Sequence, residues 1–326
     1  MPGGVSRGTD HERFSRWGSP DRHARCSAPR TAQRHAERVA SAYARMPGVT
    51  FFPTRARGQN FLHDRSVAER FVATALGAGE PGTIVEIGPG KGALTFPLLA
   101  AGVRVLAIEV DPRLAGRLEK HARERGLSEN LRVVVGDALE LDLAAAIAGF
   151  GAAPPLPICG NLPFSVASPL LLRLIEGHAT RGAPPLFDAL TLTLQKEVAD
   201  RVVARCGERD YSALSVVVQQ ALRAKLAFRI HPGAFRPRPR VVSAVIRLTP
   251  RPDPPAVGRE RHFRALVRGL FAHRRKTLRN CVSRLPDQEL AGRVEAALDT
   301  LGIDAGLRPE QLAVSDFAEL SRMTYR

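Results

Sequence analysis

The chain has 326 residues, 44% of them apolar, enough for one large domain and a smaller companion with a real core. Its four cysteines (Cys26, Cys159, Cys206, Cys281) stand far apart without a CxxC pair, and the nine histidines do not gather around them; this argues against disulfides or a zinc site and for a reducing, cytosolic setting. The formal charge of +16 is regional: residues 223–279 hold sixteen Lys or Arg against two acids, residues 1–57 hold eleven Arg against four, and the rest sums to −5, so a strongly basic stretch on a mildly acidic body is set to face a polyanion such as nucleic acid.

Residues 1–54 are rich in Arg, Ser, Gly and Ala without helical or strand periodicity, which predicts a disordered extension. An Arg-rich, acid-poor leader is also the composition of an organelle transit peptide, and Met46 offers an alternative start shortly before the first motif. From residue 64 the pattern alternates. A helix over 66–76 precedes a strand at 83–87, then a glycine loop and a helix over 94–101. Apolar runs at 104–108, 131–135, 156–159 and 189–194 are short and nearly continuous, as strands buried on both faces should be, and helical segments at 112–125, 143–147 and 168–176 separate them. This βαβ series predicts a parallel sheet with right-handed crossovers. The uncharged stretch 143–164 is broken by Gly149, Gly151, Pro154, Pro155 and Pro157 and makes a poor membrane span. After a helix over 212–223, runs at 226–230 and 243–248 are joined by a Pro-rich connection too short for a crossover helix, so they should pair antiparallel at the sheet's edge. Prolines at 250, 252, 254 and 255 mark a boundary between a sheet domain over 55–250 and a small helical domain over 251–326. Beyond it, the segments 262–271, 275–284, 289–301 and 315–322 carry apolar residues at three- and four-residue spacing.

The loop Glu86-Ile87-Gly88-Pro89-Gly90-Lys91-Gly92-Ala93 lies between a predicted strand and helix, where Gly88 and Gly90 let the backbone turn and approach a ligand. Glu109, at the end of the second strand of the series, is placed to accept from two ribose hydroxyls. These features suit a nucleoside-type cofactor, and on the glycine pattern alone a nicotinamide oxidoreductase stays open. Glu86 and Asp137, ending the first and third strands, shift the balance toward a cofactor with a cationic end. Asp137 is placed to bind the exocyclic amine of an adenine; the lesser alternative is a simple N-cap for the helix that follows.

The fourth strand ends at Gly160 and is followed by Asn161-Leu162-Pro163-Phe164. Ligands of open α/β sheets collect at the carboxyl ends of strands, so this stretch should lie beside the cofactor's reactive group. A planar base with an exocyclic NH₂ needs two acceptors. The Asn161 carboxamide oxygen and the Leu162 carbonyl can provide them, while Phe164 offers a flat face for stacking. Held this way, the amine nitrogen is drawn toward tetrahedral geometry, and methyl transfer needs alignment more than a base.

Together with Gly58-Gln59-Asn60-Phe61-Leu62, Leu194-Gln195-Lys196-Glu197-Val198, Tyr211-Ser212-Ala213-Leu214-Ser215-Val216, Phe235-Arg236-Pro237-Arg238-Pro239-Arg240-Val241 and Arg274-Arg275-Lys276-Thr277-Leu278-Arg279-Asn280, these motifs make the chain resemble the ribosomal RNA adenine N6,N6-dimethyltransferases from about residue 57 onward. Within that family the resemblance favours the bacterial small-subunit, kasugamycin-resistance branch over the erythromycin-resistance branch that acts on 23S rRNA. It implies a Rossmann-like α/β methyltransferase domain, mostly parallel with an antiparallel edge, plus an all-helical C-terminal domain. It implies S-adenosylmethionine as cofactor and no metal, contacted by Gln59, Asn60, Leu62, Glu86, Gly88, Gly90, Glu109, Asp137, Ala138 and Asn161, with Asn161, Leu162 and Phe164 catalytic. It further implies dimethylation of two adjacent adenines in the 3′-terminal hairpin of 16S rRNA, within the immature 30S subunit, by a cytoplasmic monomer that engages no membrane. Arg236, Arg238, Arg240, Arg274, Arg275, Lys276 and Arg279 are the expected RNA contacts. A non-catalytic RNA-binding assembly factor is the alternative from another class. Phe164 stands where the family usually has Tyr, and Arg57 where it usually has an aromatic residue.

Overall fold

A computed structural model describes residues 60–77, 79, 82–178 and 185–325, and for Phe164, Ser165, Gly177 and His178 it describes the backbone alone. The expected extension over 1–54, and Gln59, lie outside the described residues. The chain enters through a two-residue strand β1 (Phe61–Leu62) and helix α1 (Arg65–Leu76). It then alternates β2 (Thr83–Ile87), α2 (Thr95–Ala100), β3 (Arg104–Glu109), α3 (Pro112–Glu124), β4 (Leu131–Val135), α4 (Leu143–Gly149), β5 (Ile158–Gly160), α5 (Phe164–His178) and β6 (Leu190–Gln195). Three of these helices, α1, α3 and α4, begin after an aspartate, Asp64, Asp111 or Asp142, whose carboxylate accepts an amide of the first turn.

Strands β2 to β6 run parallel in the order β4-β3-β2-β5-β6. The sheet continues through β9 (Ser243–Pro250), antiparallel to β6, and ends at β7 (Leu222–Ile230), antiparallel to β9. The expected antiparallel edge is therefore present, with β9 inside it and β7 outermost. Alternation along each strand feeds two cores: Val85, Ile87, Leu190, Leu192 and Leu194 face one side, Ile84, Val105, Cys159 and Val245 the other.

Four readings change. Strand β4 is not buried on both faces, because it forms the opposite edge of the sheet; Val135 is 53% exposed. Helix α7 (Ala213–Ala221) stops before residue 222, where the chain already enters β7, so the apolar pattern there belongs to a strand. Helix α6 (Lys196–Val203) follows β6 without a loop and was not anticipated, since its charged first turn masks the apolar face formed by Ala199 and Val202. Helix α5 starts at Phe164 rather than 168, which leaves Pro169 inside it; Pro163 closes the first turn by accepting from Val166 and Ala167 through its carbonyl.

The C-terminal part comprises α8 (Glu260–Phe271), α9 (Leu278–Val282), α10 (Gln288–Leu301) and α11 (Val314–Thr324). Phe263, Leu266, Val267 and Leu270 of α8, at helical spacing, meet Val294, Leu298 and Phe317 in a third core. That core also takes in Tyr211, Val216 and Val217, so the helices are seated on α7 and the segment before it. Among the described residues no helix is long and apolar enough to cross a membrane.

Candidate active site

Strands β2, β3, β4 and β5 end side by side, and the loops leaving them form one concave surface. Its outer part is a cleft of about 380 Å³ bordered by Gly88, Glu109, Asp137, Ala138, Leu162 and Pro163. On the other side of Gly88 and Pro163 lies a smaller hollow of about 40 Å³, whose lining includes Asn60, Phe61, Glu86, Gly90, Lys91 and Asn161. Apart from Gln59 and Phe164, every residue expected around the cofactor or the target amine borders one of these two spaces. The ring of Phe164 lies outside the described atoms.

The glycine loop is shaped by backbone conformation and held by one carboxylate. Gly88 and Gly90 have φ of +68° and +56°, the left-handed region that a side chain disfavours. Glu109, 1% exposed, accepts the Gly90 N–H at 2.9 Å with Oε2 and the Asp111 N–H at 3.0 Å with Oε1. Each oxygen keeps one lone pair, so a diol edge in the cleft can still be bound. Asp137 Oδ1 accepts from Leu139 N at 2.8 Å and so closes a turn; it does not cap a helix, because the next helix starts at Leu143 and is capped by Asp142. Asp137 Oδ2 has no protein partner among the described residues, and the residue borders the cleft.

Glu86 is the contrasting acid. It is 1% exposed and accepts from the Thr95 hydroxyl at 2.6 Å, with no backbone amide among its described partners. Burial pushes its carboxyl up to about 8, the charge of Glu109 adds to the effect, and the Thr95 bond opposes it. Thr95, Phe61 and Lys91 escaped the sequence reading. Thr95 carries no local signal, Phe61 reaches the site only through a distant strand pairing, and nothing in the spacing of the glycine loop distinguishes Lys91 from its neighbours.

Asn161 is placed by a backbone constraint one residue earlier. A Cβ at Gly160 would lie 2.6 Å from the Ile87 carbonyl oxygen, so only glycine allows β5 to approach β2 at its end. Leu162 then buries its side chain, 5% exposed, with Cδ2 against Gly88 and Gly160. With that anchor in place, Asn161 borders the hollow and turns its NH₂ toward the Asn60 carbonyl at 3.4 Å, leaving Oδ1 without a protein partner among the described residues.

Asn60 is carried here by long-range pairing. Phe61 and Leu62 pair antiparallel with Arg236 and Phe235 of strand β8 (Phe235–Arg236), and His63 N donates to Ala234 O at 2.9 Å. The Gly58 motif and the Phe235 motif are thus two halves of one clip beside the hollow, and Arg236 leaves directly from it. Arg236, Arg238 and Arg240 are exposed, as are Arg275, Lys276 and Arg279. Arg274 is not available in the same way. Its guanidinium bonds Glu310 Oε2 at 2.9 and 2.7 Å and the Arg209 carbonyl at 2.8 Å, fastening the end of α8 to the segment before α7.

The donor set fits a cationic nucleoside. Carboxylates at the ends of β3 and β4 would repel a pyrophosphate, which disfavours a dinucleotide, while Glu109 and Asp137 keep acceptor positions for a ribose and an amine. Among the described residues no group of His, Cys, Asp and Glu is placed to hold a metal ion.

A family model described as ribosomal RNA adenine dimethylase matches residues 54–324. By sequence the chain is 42% identical over 269 residues to ribosomal RNA small subunit methyltransferase A of Rhodospirillum rubrum, covering 82% of this chain and 86% of that one. It is 40% identical over 273 residues to the protein of the same name from Alcanivorax borkumensis, covering 83% and 90%. By structure it is similar to a dimethyladenosine transferase from Plasmodium falciparum, with a TM-score of 0.65 and 24% identity over 79% of this chain and 95% of that one. It is also similar to the 23S rRNA methyltransferase ErmE, with a TM-score of 0.56 and 26% identity over 81% and 99%. The seven-stranded sheet with its antiparallel edge is thus a Rossmann-like methyltransferase architecture, followed by a helical C-terminal region.

Proposed function

The chain belongs to the ribosomal RNA adenine dimethylase family, and on that premise we propose that it dimethylates N6 of two adjacent adenines in the 3′-terminal hairpin of small-subunit rRNA, with S-adenosylmethionine as donor. The observation that carries this reading is the position of Asn161, which follows the end of β5, borders the inner hollow and has its NH₂ on the Asn60 carbonyl, while the next two residues, Leu162 and Pro163, border the nucleoside-sized cleft. When bound, the donor supplies an electrophilic methyl group on a sulfonium.

The chain's own residues account for the rest. Glu109 holds the ribose and Asp137, with Ala138, the cofactor's adenine; Asn60, Leu62, Glu86 and Asn161 surround its amino-acid end. Asn161 Oδ1 and the Leu162 carbonyl accept the two amino protons of the target adenine. Fixing both protons draws the nitrogen lone pair out of ring conjugation and aims it into the site, a contribution of alignment and preorganised dipoles. After transfer the nitrogen carries one proton too many, which leaves to water; the monomethylated amine keeps a single N–H, so the second transfer proceeds with one of the two acceptors engaged. Phe164 is the proposed stacking partner, and its lack of a hydroxyl removes no atom that the transfer needs.

In this proposal residues 55–250 form the methyltransferase unit and 251–326 the helical rRNA-binding unit, acting as a cytoplasmic monomer on the immature 30S subunit. Arg236, Arg238, Arg240, Arg275, Lys276 and Arg279 supply phosphate contacts, and the target base is drawn out of its stack to reach Asn161. The test is mass spectrometry of rRNA nucleosides after incubation with S-adenosylmethionine. Dimethyladenosine should form in unmodified small-subunit particles and not in protein-free large-subunit rRNA, and the reverse pattern would overturn the assignment.

A further inference from the structure

We propose that the outer edge of the sheet carries a second rRNA contact face, in which Arg70, Arg223 and Lys225 bind the sugar-phosphate backbone on the side away from the C-terminal helices; the inference rests on reading the chain as acting on rRNA. Strand β7 is outermost, and its exposed residues Arg223 and Lys225 lie two apart, so both side chains leave on one side of the sheet. Packing sets which side that is. Ala224 and Leu226, which alternate with them, pack on the first core, where Val218 and Ala221 of α7 also lie. A bulge between Leu226 and Phe228 then shifts the alternation, and Phe228 joins the second core with Phe71 and Val72 of α1. The guanidinium of Arg70, an exposed residue of α1, lies 4.2 Å from the centroid of the Phe228 ring and extends the row.

Three observations make this row an anion-binding face. Its charges are not paired: among the described residues none of the three has an acidic partner, whereas Arg65 of α1 is taken by Glu69, and Arg229, on the opposite side of β7, by Asp200. Like charges are also set against each other. Lys225 stands opposite Arg247 in the β7–β9 register, which costs stability unless an anion lies near. Asp188 attracts Arg247, but the Arg247 guanidinium is turned to the Thr74 and Ala75 carbonyls at the end of α1, leaving Lys225 to solvent. Finally, the row is continuous with the β1–β8 clip: α1 leaves β1, β7 leads into β8, and Arg236, Arg238 and Arg240 are exposed there. A polyanion held at the clip can therefore continue over α1 and β7.

The other role for charges on an outermost strand is to keep it from pairing with a second chain. Sign separates the two roles, because glutamate protects an edge as lysine does but repels a phosphate. Filter binding of the full chain to protein-free small-subunit rRNA and to unmodified small-subunit particles is measured across a salt series. The triple variant Arg70→Glu, Arg223→Glu, Lys225→Glu should bind both more weakly, and the slope of log K against log salt should drop by about 2–3, at roughly 0.7–0.9 for each phosphate contact. The double variant Arg223→Glu, Lys225→Glu, which leaves Arg70 over Phe228, should show about two-thirds of that drop with its melting temperature and its affinity for S-adenosylhomocysteine unchanged. Binding of rRNA unaltered in both variants would overturn the face and leave the charges as edge protection. Weaker binding to particles with protein-free rRNA bound as before would make the partner an acidic ribosomal protein and likewise overturn it. Failure of the wild-type chain to bind small-subunit rRNA at all would instead overturn the function proposed above.

Discussion

Glu109 holds the amide of Gly90 at 2.9 Å, so the acid that ends β3 and the loop that leaves β2 form one unit before any ligand arrives. Replacing Glu109 by Ala removes that bond and the one to Asp111, stranding two amides. The expected cost is about 3 kcal/mol of stability, given 1–3 kcal/mol for each buried amide left unpaired. Denaturant unfolding measures this, and calorimetry should show donor affinity falling by about 100-fold, the scale of two lost hydrogen bonds to a charged acceptor.

Asn161→Ala should act on the chemistry. The substitution leaves the Gly160 approach and the Leu162 anchor in place. Donor affinity should stay within a few-fold, while the single-turnover methylation rate falls about 1,000-fold, the scale of deleting one preorganised polar group. An unchanged rate would remove Asn161 from the acceptor pair.

Glu86 gives the protein a pH dependence of stability. In the folded chain it keeps its proton to about pH 8, whereas an ordinary glutamate releases it near 4.5, so between those values the folded state binds more protons than the unfolded one. Its contribution is full below about pH 4.5 and is lost as pH rises through about 8. Thermal melts from pH 5 to 8.5 should fall more steeply for the wild-type chain than for Glu86→Gln, which cannot ionise. Parallel curves would mean that Glu86 is already charged at neutral pH.

The two ends of the basic motif near residue 274 should separate. Arg274→Ala loses the bonds to Glu310 and Arg209 and should destabilise the chain by about 2 kcal/mol, within the range for hydrogen bonds to charged groups. Reversal of Arg275, Lys276 and Arg279 to Glu should leave the melting temperature within a few degrees. It should weaken rRNA binding and flatten its dependence on salt. Filter binding across a salt series distinguishes them, and a steep slope retained by the triple variant would move the RNA surface elsewhere.

Gly160→Ala introduces one methyl group against the Ile87 carbonyl, at 2.6 Å, where neither strand can retreat without breaking the sheet. The variant should lose roughly 3 kcal/mol or more, as backbone clashes in a core do. Circular dichroism under urea reads this directly.

Much of the molecule was legible from residue order because the relevant forces are local or periodic. The parallel strands announced themselves as short apolar runs between helices, the glycine loop by its spacing, and Asn161 by following a strand end. The amphipathic pattern of α8 predicted its buried Phe263, Leu266, Val267 and Leu270. Strand β4 misled the reading because an apolar run does not say whether a neighbour exists on both sides, and α6 escaped it because charged residues open a helix whose buried face is only two side chains wide.

What residue order determined was the set of chemical groups and their attachment to strand ends, since both follow from periodicity and local backbone preference. What only the tertiary structure decided was which of those groups meet. Phe61 finds Arg236 across more than half the chain, Glu86 is deprived of water while Glu109 is given two amides, and Arg274 turns to Glu310 while Arg275 stays exposed. Pairing across the fold and removal from water depend on contacts between segments remote in sequence. Those contacts set whether a given carboxyl is charged and whether a given arginine is free to meet a phosphate.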